Sequence, residues 1–376
     1  MKEGTSQEGL MKNYIYLFFF IACLFLLISC NQQKSEWAGK IEVIDGITVV
    51  KNPKEPIYQE EVLSIEEELS IGYDEEDENY MFSYISHITV DGNGRIYVLD
   101  RRESHVKLFD QSGEYIRTIG RAGQGPGEFN IPVFIYYPRN ELLVMEFDRL
   151  SFFSPEGKLQ RVIPMKTEFL SRARCDSQGN IITTSSVLDP ENPYYVLKKF
   201  DSEINLIKEI IKVPMQRSPG VIIPFSSNLY MTVDAEDNII FSYSKDYEIQ
   251  VFNPDGDLTK KIKREYEPVE ITDEEKEEIT RGAPSQIKYE FPKAHPPYQR
   301  FVHDEMGRLY VQSNEKGEGL SVYYYDVFNR EGQYIVRVPL RQYPVVFQGG
   351  KLYSLEESED GYQYIKRYKV TWNIEN

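Results

Sequence analysis

The side chains best suited to bind a ligand are arginines, tyrosines and one histidine, which lie mainly in the longer polar segments of the chain. Arginine binds carboxylates through paired hydrogen bonds, and tyrosine combines a ring that stacks on sugars or peptide groups with a hydrogen-bonding hydroxyl. A concavity lined by such groups suits a glycan, a peptide or a partner protein. Packing inside the fold is the alternative role for several of these tyrosines. The candidate ligand-binding residues are Arg101, Arg102, Arg149, Tyr194, Tyr195, Arg217, Tyr247, His295 and Tyr298.

Metal and cofactor chemistry has little support in the sequence. The chain contains four histidines, and no two of them have the spacing of a helical metal site. His87 and His303 precede equivalent polar turns, so a metal in a central channel stays an alternative. We predict no metal and no cofactor.

Catalysis is less strongly indicated than binding. The chain has no Gly-x-Ser-x-Gly nucleophile motif, and with 60 acidic residues a chance pair of carboxylates carries no information. We therefore expect a non-catalytic ligand- or protein-binding module. The alternative is a lyase or hydrolase that acts on glycans or lactones at a polar site in a channel mouth.

The segment from Gly120 to Asn130 is rich in glycine and resembles a phosphate-binding loop only superficially. It lacks the Gly-Lys-Ser/Thr ending of such a loop and precedes no predicted helix. We expect a structural crossover in which glycines adopt positive φ and Arg121 pairs with Glu128.

The elements that position these residues form a repeat, in which a short apolar strand follows a tight polar turn. A unit made only of strands and turns cannot bury its own apolar faces, so successive copies must pack against one another. The six strands of this kind are 95–98, 141–144, 180–183, 238–241, 308–311 and 351–354. They predict a six-bladed β-propeller.

A second marker, an aromatic strand end before a hairpin turn, predicts four antiparallel strands in each complete unit. The sixth unit lacks this marker and its fourth strand. The segment Lys40 to Lys51 has strand composition and no blade of its own, so we expect it to close the ring. The predicted fold is all-β: a six-bladed β-propeller of four-stranded antiparallel blades, closed by an N-terminal strand, with one short helical insertion.

The connections between strands differ strongly in length. The turns that join the first strand to the second, and the third to the fourth, are short, so one face of the ring is uniform. The long segments fall on the opposite face, including an insertion at 265–297 where Thr272 and Glu275 form a capping box for a short helix. We expect the ligand site at the axial mouth of this loop-rich face.

The N-terminal segment has the features of a secretory signal. Lys12 precedes an apolar run from Tyr14 to Ile28, which is short for a membrane span. The sequence Leu27-Ile28-Ser29-Cys30 resembles the lipobox of bacterial lipoproteins, and this resemblance implies a signal peptide at 1–29 and lipidation of Cys30. A tether at 30–39 and the propeller at 40–376 would follow. A retained membrane anchor is the alternative. The true start is either Met1 or Met11.

Composition excludes one class of partner. The formal net charge is −17, and the signal segment has equal numbers of acidic and basic residues, so the mature domain keeps that charge. Such a protein repels phosphate backbones, and we predict no nucleic-acid partner. Cys175 is the one cysteine outside the signal and the lipidation site, and it is expected to be buried.

The repeat that begins Val90-Asp91-Gly92-Asn93-Gly94-Arg95-Ile96-Tyr97-Val98 resembles NHL-type repeats. The lipoprotein signal, the Asp45-Gly46-Ile47 lead-in, the segment Ile119 to Phe129 and the Thr272 helix insertion together resemble a family of bacterial six-bladed β-propeller lipoproteins. This similarity covers nearly the whole mature chain, and most members are uncharacterised. It implies a location in the cell envelope, anchored by lipid to a membrane that we expect to be the outer membrane, and it implies no reaction, ligand or oligomeric state.

Overall fold

The structure is a computed structural model of the chain. It describes residues 36–374 apart from 138–139, 166–169, 218–219, 319–321 and 342. The predicted signal peptide at 1–29 and Cys30 lie outside the described residues. In the part of the chain that is described, no helix is long and apolar enough to cross a membrane.

The described residues form almost exclusively β-strands. Three strands precede the first blade: β1 (Lys40–Ile44), β2 (Ile47–Asn52) and β3 (Leu63–Gly72). Blade 1 contains β4 (Ile85–Val90), β5 (Ile96–Asp100), β6 (His105–Phe109) and β7 (Tyr115–Ile119). Blade 2 contains β8 (Phe134–Tyr136), β9 (Leu142–Met145), β10 (Arg149–Phe153) and β11 (Leu159–Pro164). Blade 3 contains β12 (Leu170–Cys175), β13 (Ile181–Val187), β14 (Tyr194–Phe200) and β15 (Leu206–Pro214).

The second half of the ring repeats this plan with insertions. After β16 (Val221–Ile222), blade 4 contains β17 (Leu229–Val233), β18 (Ile239–Tyr243), β19 (Glu248–Phe252) and β20 (Leu258–Arg264). The insertion contains helix α1 (Asp273–Thr280) and β21 (Lys288–Tyr289). Blade 5 contains β22 (Arg300–His303), β23 (Leu309–Lys316), β24 (Val322–Phe328) and β25 (Tyr334–Arg341). Blade 6 contains β26 (Tyr343–Gln348), β27 (Lys351–Glu357) and β28 (Gln363–Trp372), and a 3₁₀ turn spans Glu78–Tyr80. The six-bladed antiparallel fold is confirmed.

Aspartates shape four of the short turns between first and second strands. In blade 1, Oδ1 of Asp91 accepts hydrogen bonds from the backbone N–H groups of Asn93 and Arg95, both at 2.9 Å. Its other oxygen accepts a hydrogen bond from Arg95 Nε at 2.6 Å. Because one carboxylate accepts several backbone hydrogen bonds of the turn, it fixes the turn in a tight conformation. Equivalent turns begin at Asp176, Asp234 and Asp304.

The hydrophobic core lies between adjacent blades. At the first junction, Tyr97 and Leu108 of blade 1 pack with Ile135 and Val144 of blade 2. Among the described residues there are six such clusters, one at each junction of the ring. The stability of each blade therefore depends on its neighbours.

The ring is closed by β3, so the prediction that Lys40 to Lys51 closes it was wrong. Strand β3 pairs antiparallel with β28 and supplies the fourth strand of blade 6. Lys351 and Lys366 of this blade form ion pairs with Glu68 and Glu67 of β3 at 2.6 and 2.8 Å. Most side chains of β3 are exposed because it is an outer strand. Three consecutive glutamates, Glu66 to Glu68, interrupt the apolar alternation of Leu63, Ile65, Leu69 and Ile71.

The segment expected to close the ring instead widens blade 4. Strand β2 pairs in parallel with β20, and β1 pairs with β2, which makes blade 4 a six-stranded sheet. Asn52, at the end of β2, is buried and donates hydrogen bonds to the backbone oxygens of Lys263 and Gly332 at 3.0 and 2.9 Å. Its side-chain oxygen accepts the Tyr334 N–H at 2.7 Å. Asn52 thus fastens the N-terminal segment to blades 4 and 5.

The glycine-rich crossover between blades 1 and 2 has the predicted structural geometry. Gly120, Gly123 and Gly127 all have positive φ. Arg121 Nη2 lies 2.7 Å from Glu128 Oε1, so the predicted pairing is confirmed. A side chain at Gly120 would overlap the buried ring of Phe129, and the tight approach of this loop to the blade therefore requires glycine.

Candidate functional site

The insertion begins with the helix that the capping box predicted. The Thr272 hydroxyl accepts the Glu275 N–H, and the Glu275 carboxylate accepts the Thr272 N–H. Farther along the insertion, β21 pairs in parallel with β16, which lies in the connection between blades 3 and 4. Two long connections thus support each other on the loop-rich face, at 215–228 and 265–299.

A cavity of about 330 Å³ lies beneath these connections, over the junction of blades 4 and 5. We call it the insertion cavity. Its wall combines aromatic rings with amide, imidazole and cationic groups. The lining residues are Phe225, Ser226, Asn228, Tyr230, Glu275, His295, Pro296, Tyr298, Gln299, Arg300, Asn314, Lys316 and Tyr323. All of them come from two neighbouring blades and their connections, so this cavity is not a mouth ringed by all six blades.

One wall of the cavity contains a histidine–carboxylate pair. His295 Nε2 lies 3.2 Å from Glu275 Oε2, and the His295 side chain is mostly buried. Burial alone would raise the pKa of Glu275, but the N–H of Thr272 and the imidazole of His295 hold this pKa below its ordinary value. Helix α1 and the loop before blade 5 are joined by this contact.

The aromatic part of the wall contains a residue in an unusual backbone conformation. Phe225 has a φ of 55°, a left-handed value that is costly for a bulky side chain. Its ring stands edge-on to His295, with ring centroids 4.7 Å apart. Strained residues of this kind concentrate at sites that clamp ligands, so Phe225 is a functional candidate that the sequence alone did not reveal.

The polar part of the wall is held in place by hydrogen bonds to neighbouring backbone and side-chain groups. The Asn314 side chain donates a hydrogen bond to the Pro296 carbonyl. The Gln299 side-chain oxygen accepts from the Gln312 amide at 3.3 Å. The Asn228 side chain donates to the Ser226 carbonyl at 3.3 Å. These contacts limit the rotation of groups that would otherwise lose entropy on binding.

Of the nine candidate ligand-binding residues, His295 and Tyr298 lie together in the insertion cavity. The Tyr298 side chain is fully buried behind its surface, where the hydroxyl donates to the Glu248 carbonyl at 3.2 Å. Burial raises the pKa of Tyr298, so this hydroxyl stays protonated. Tyr298 therefore stabilises the cavity wall from behind and exposes little of its own surface to the cavity.

Tyr247 does not rim the loop-rich face as expected. It is 4% exposed and packs at the junction of blades 4 and 5, with ring centroids 5.2 Å from Tyr298 and 6.1 Å from Phe328. Its hydroxyl donates to Asp326. The prediction that Tyr247 lines an open mouth was wrong because the strand end that carries it is covered by the next blade.

Arg149 also forms structural contacts. It pairs with buried Glu146 at 2.6 Å and donates a hydrogen bond to the Glu128 carbonyl at 2.9 Å. These contacts fasten the glycine-rich crossover to blade 2. Arg101, Arg102 and Arg217 are exposed, and Tyr194 and Tyr195 are half-buried. None of these six residues lines the insertion cavity.

A second cavity of about 630 Å³ lies beside the first, between the insertion and the chain that follows β2. Its wall includes Lys54, Glu267, Arg264 and Arg337, and the ion pair between Lys54 and Glu267 spans it at 2.9 Å. In the described part of the chain, no group of three or more His, Cys, Asp or Glu side chains is arranged to hold a metal ion.

Sequence reasoning missed most of the residues that complete the insertion cavity. Phe225, Asn228 and Tyr230 precede or begin an inner strand, while Arg300 and Lys316 lie at strand ends of blade 5. The insertion at 265–297 was expected on the loop-rich face, but the convergence of its residues with those of blades 4 and 5 on one cavity depends on how these two blades pack.

Solved structures with the same architecture come from two Bacteroides species. A protein from Bacteroides fragilis NCTC 9343 matches with a TM-score of 0.57 and 11% identity, over 86% of this chain and 100% of that one. A member of the DUF4221 family from Bacteroides vulgatus matches with a TM-score of 0.56 and 13% identity, over 82% of this chain and 99% of that one. At these identities the likeness concerns the fold alone.

No curated protein matches the chain significantly in sequence. The sequence model of the family DUF5128, described as a 6-bladed beta-propeller, matches residues 75–362. That range extends from just before blade 1 to the start of the last strand of blade 6, so it contains nearly the whole ring. The chain therefore belongs to this six-bladed β-propeller family.

Proposed function

We propose that this protein is a cell-envelope lipoprotein whose propeller binds a glycan or peptide, free or displayed on a partner protein, in the insertion cavity without catalysing a reaction. The observation that carries the proposal is the composition of the cavity wall, in which aromatic rings alternate with fixed amide groups. Such walls bind sugars and peptides by stacking and by directed hydrogen bonds. The strained Phe225 adds a clamp-like element.

The binding role is tested with a screen of glycans and peptides on the full chain in detergent, followed by calorimetric titration of each hit. Phe225→Ala and Asn314→Ala are expected to weaken binding at least about tenfold, because each removes a wall contact. Lys158→Gln, an exposed change in a turn on the opposite face, is the control. Binding that survives both cavity variants would contradict the proposed site.

Membrane attachment depends on Cys30. The apolar run and the Leu-Ile-Ser-Cys sequence support lipidation at this residue, and a lipid with a second signal is needed for stable anchoring. Cys30→Ser is expected to abolish incorporation of labelled fatty acid and to release the protein from membranes. Unchanged labelling and membrane retention would refute the lipoprotein assignment.

A lyase or hydrolase is the second candidate, favoured by the His295–Glu275 pair in the cavity wall. A carboxylate that orients an imidazole is a common arrangement for a general base. Under this alternative, a glycan or lactone that binds would be converted, and His295→Gln would stop turnover while binding persisted. Recovery of the bound ligand unchanged supports the non-catalytic role.

A further inference from the structure

The insertion cavity differs in charge from the protein around it. The chain has 60 acidic and 43 basic residues, so an average surface site is acidic. The charged residues in the cavity wall are Arg300, Lys316 and Glu275. Cations therefore outnumber carboxylates in this wall, in contrast to the chain as a whole.

The one carboxylate in the wall already has partners. The Oε2 atom of Glu275 faces the Thr272 N–H at 2.9 Å and His295 Nε2 at 3.2 Å. These contacts lower the pKa of Glu275, and its negative charge is stabilised by the helix N-terminus and the imidazole. Lys316 is exposed at the end of β23, where its ammonium group is accessible to an incoming anion.

The remainder of the wall fits a sugar ring. Phe225, Tyr230 and Tyr323 provide apolar faces, while Asn228 and Asn314 provide amide groups for hydroxyls. A volume of about 330 Å³ lies at the small end of the range for ligand cavities and has room for one or two sugar units. A carboxylate on such a unit would complement the two cations.

We infer that the insertion cavity selects a glycan that carries a carboxylate, such as a uronic-acid unit, with Arg300 and Lys316 as the residues that recognise the acid. This inference rests on the proposed binding function and specifies its ligand class. Arg300 and Lys316 supply the charge, the aromatic rings hold the pyranose face, and the asparagine amides bind hydroxyls.

The test compares uronic-acid oligosaccharides with their methyl esters, which differ from the acids in the carboxylate charge and a small ester group. Oligogalacturonate, oligoglucuronate and alginate fragments are titrated calorimetrically into the full chain in detergent. We expect the acid forms to bind at least about tenfold more tightly than the esters, with affinity that falls as salt is added. Lys316→Gln is expected to reduce the acid preference by about threefold or more.

Arg300→Gln is measured in the same way, with thermal unfolding as a check on folding, and Lys158→Gln is the matched control for loss of one positive charge. If esters and acids bind equally and Lys316→Gln has no effect, the inference is overturned while the proposed binding function stands. If neutral glycans or peptides bind in the cavity and the acids do not, the inference is likewise overturned. If no glycan or peptide binds at all, both fail.

Discussion

The Tyr247 hydroxyl in blade 4 donates a 2.7 Å hydrogen bond to the carboxylate of Asp326 in blade 5. Asp326 is fully buried and also accepts from the Tyr334 hydroxyl at 2.9 Å, while Arg264 Nη1 lies 3.1 Å away. Burial raises the pKa of Tyr247 well above its ordinary value, and the nearby Asp326 charge adds to this effect. Tyr247 therefore stays a hydrogen-bond donor, and the junction beneath the insertion cavity is held by a polar network.

Removal of Asp326 is expected to destabilise the ring strongly. Asp326→Ala leaves the buried Arg264 guanidinium without its anion, a change that costs about 3–5 kcal/mol. Tyr247→Phe removes one hydrogen bond and is expected to cost about 1–2 kcal/mol. Both losses are measured by urea unfolding. Tyr84→Phe, at an exposed tyrosine, serves as the control, and a cost for Asp326→Ala as small as that of the control would contradict the network's role.

If β3 closes the ring, a substitution in β3 should destabilise the protein far more than a similar substitution in β1. Ile71 in β3 is 1% exposed and packs with blades 1 and 6, whereas Val43 in β1 is 71% exposed. Ile71→Ala is expected to lower the free energy of unfolding by about 2–5 kcal/mol. Val43→Ala should change it by less than about 0.5 kcal/mol. Equal effects in thermal and urea unfolding would argue against closure by β3.

The glycine-rich crossover allows a second comparison, between a glycine that the packing requires and one in an open turn. Gly120 has a φ of 75°, and a Cβ there would lie 2.2 Å from the Phe129 ring. Gly120→Ala is expected to cost about 2–4 kcal/mol, because both the backbone and the packing resist the new methyl group. Gly92 lies in a turn where an added Cβ meets no atom within 4 Å. Gly92→Ala should therefore be nearly neutral in the same urea titration.

The buried thiol of Cys175 should make the stability of the protein fall at alkaline pH. Burial raises the pKa of its thiol from an ordinary value near 9 to about 12. The folded state keeps the proton more tightly than the unfolded state, so this contribution to stability is complete below pH 9 and is lost as the pH rises toward 12. Between these values the wild type should lose about 1.4 kcal/mol per pH unit more than Cys175→Ala. If the free energy of unfolding falls equally with pH in the wild type and in Cys175→Ala, the thiol does not titrate in this way.

The fold was predictable from sequence because turn chemistry is local. Each short turn needs Asp, Asn or Gly at fixed positions, as at Asp91 and Asp304, and these residues mark the blades regardless of distant contacts. Strand β3 escaped detection because three consecutive glutamates interrupt its apolar alternation and resemble those of a surface loop. Strand β2 contains no acidic residue and has the more obvious strand composition, but it adds to the edge of blade 4 instead.

The site was predictable only as a face of the ring. Long connections pointed to that face, and His295 was expected at an axial mouth, whereas it lines a cavity over the junction of blades 4 and 5. The positions of Tyr247 and Phe225 depend on how two blades pack and on one strained backbone angle, neither of which has a signature in the sequence. Residue type alone did not distinguish a tyrosine of the core from one of the surface.

The pairing of β3 with β28 joins two segments that are far apart in the chain. Lys366 bonds Glu67 across 299 residues of chain, so β3 is synthesised long before its partner exists. An unpaired strand is a template for aggregation, and acidic side chains protect it. Before β28 is available, negative charge keeps unpaired β3 soluble, and it comes from Glu66, Glu67 and Glu68. Lysines of blade 6 later form ion pairs with two of these glutamates. The pairing that closes the ring therefore has to wait for the last strand of the chain, and the charges of β3 suit the unpaired strand as well as the finished blade.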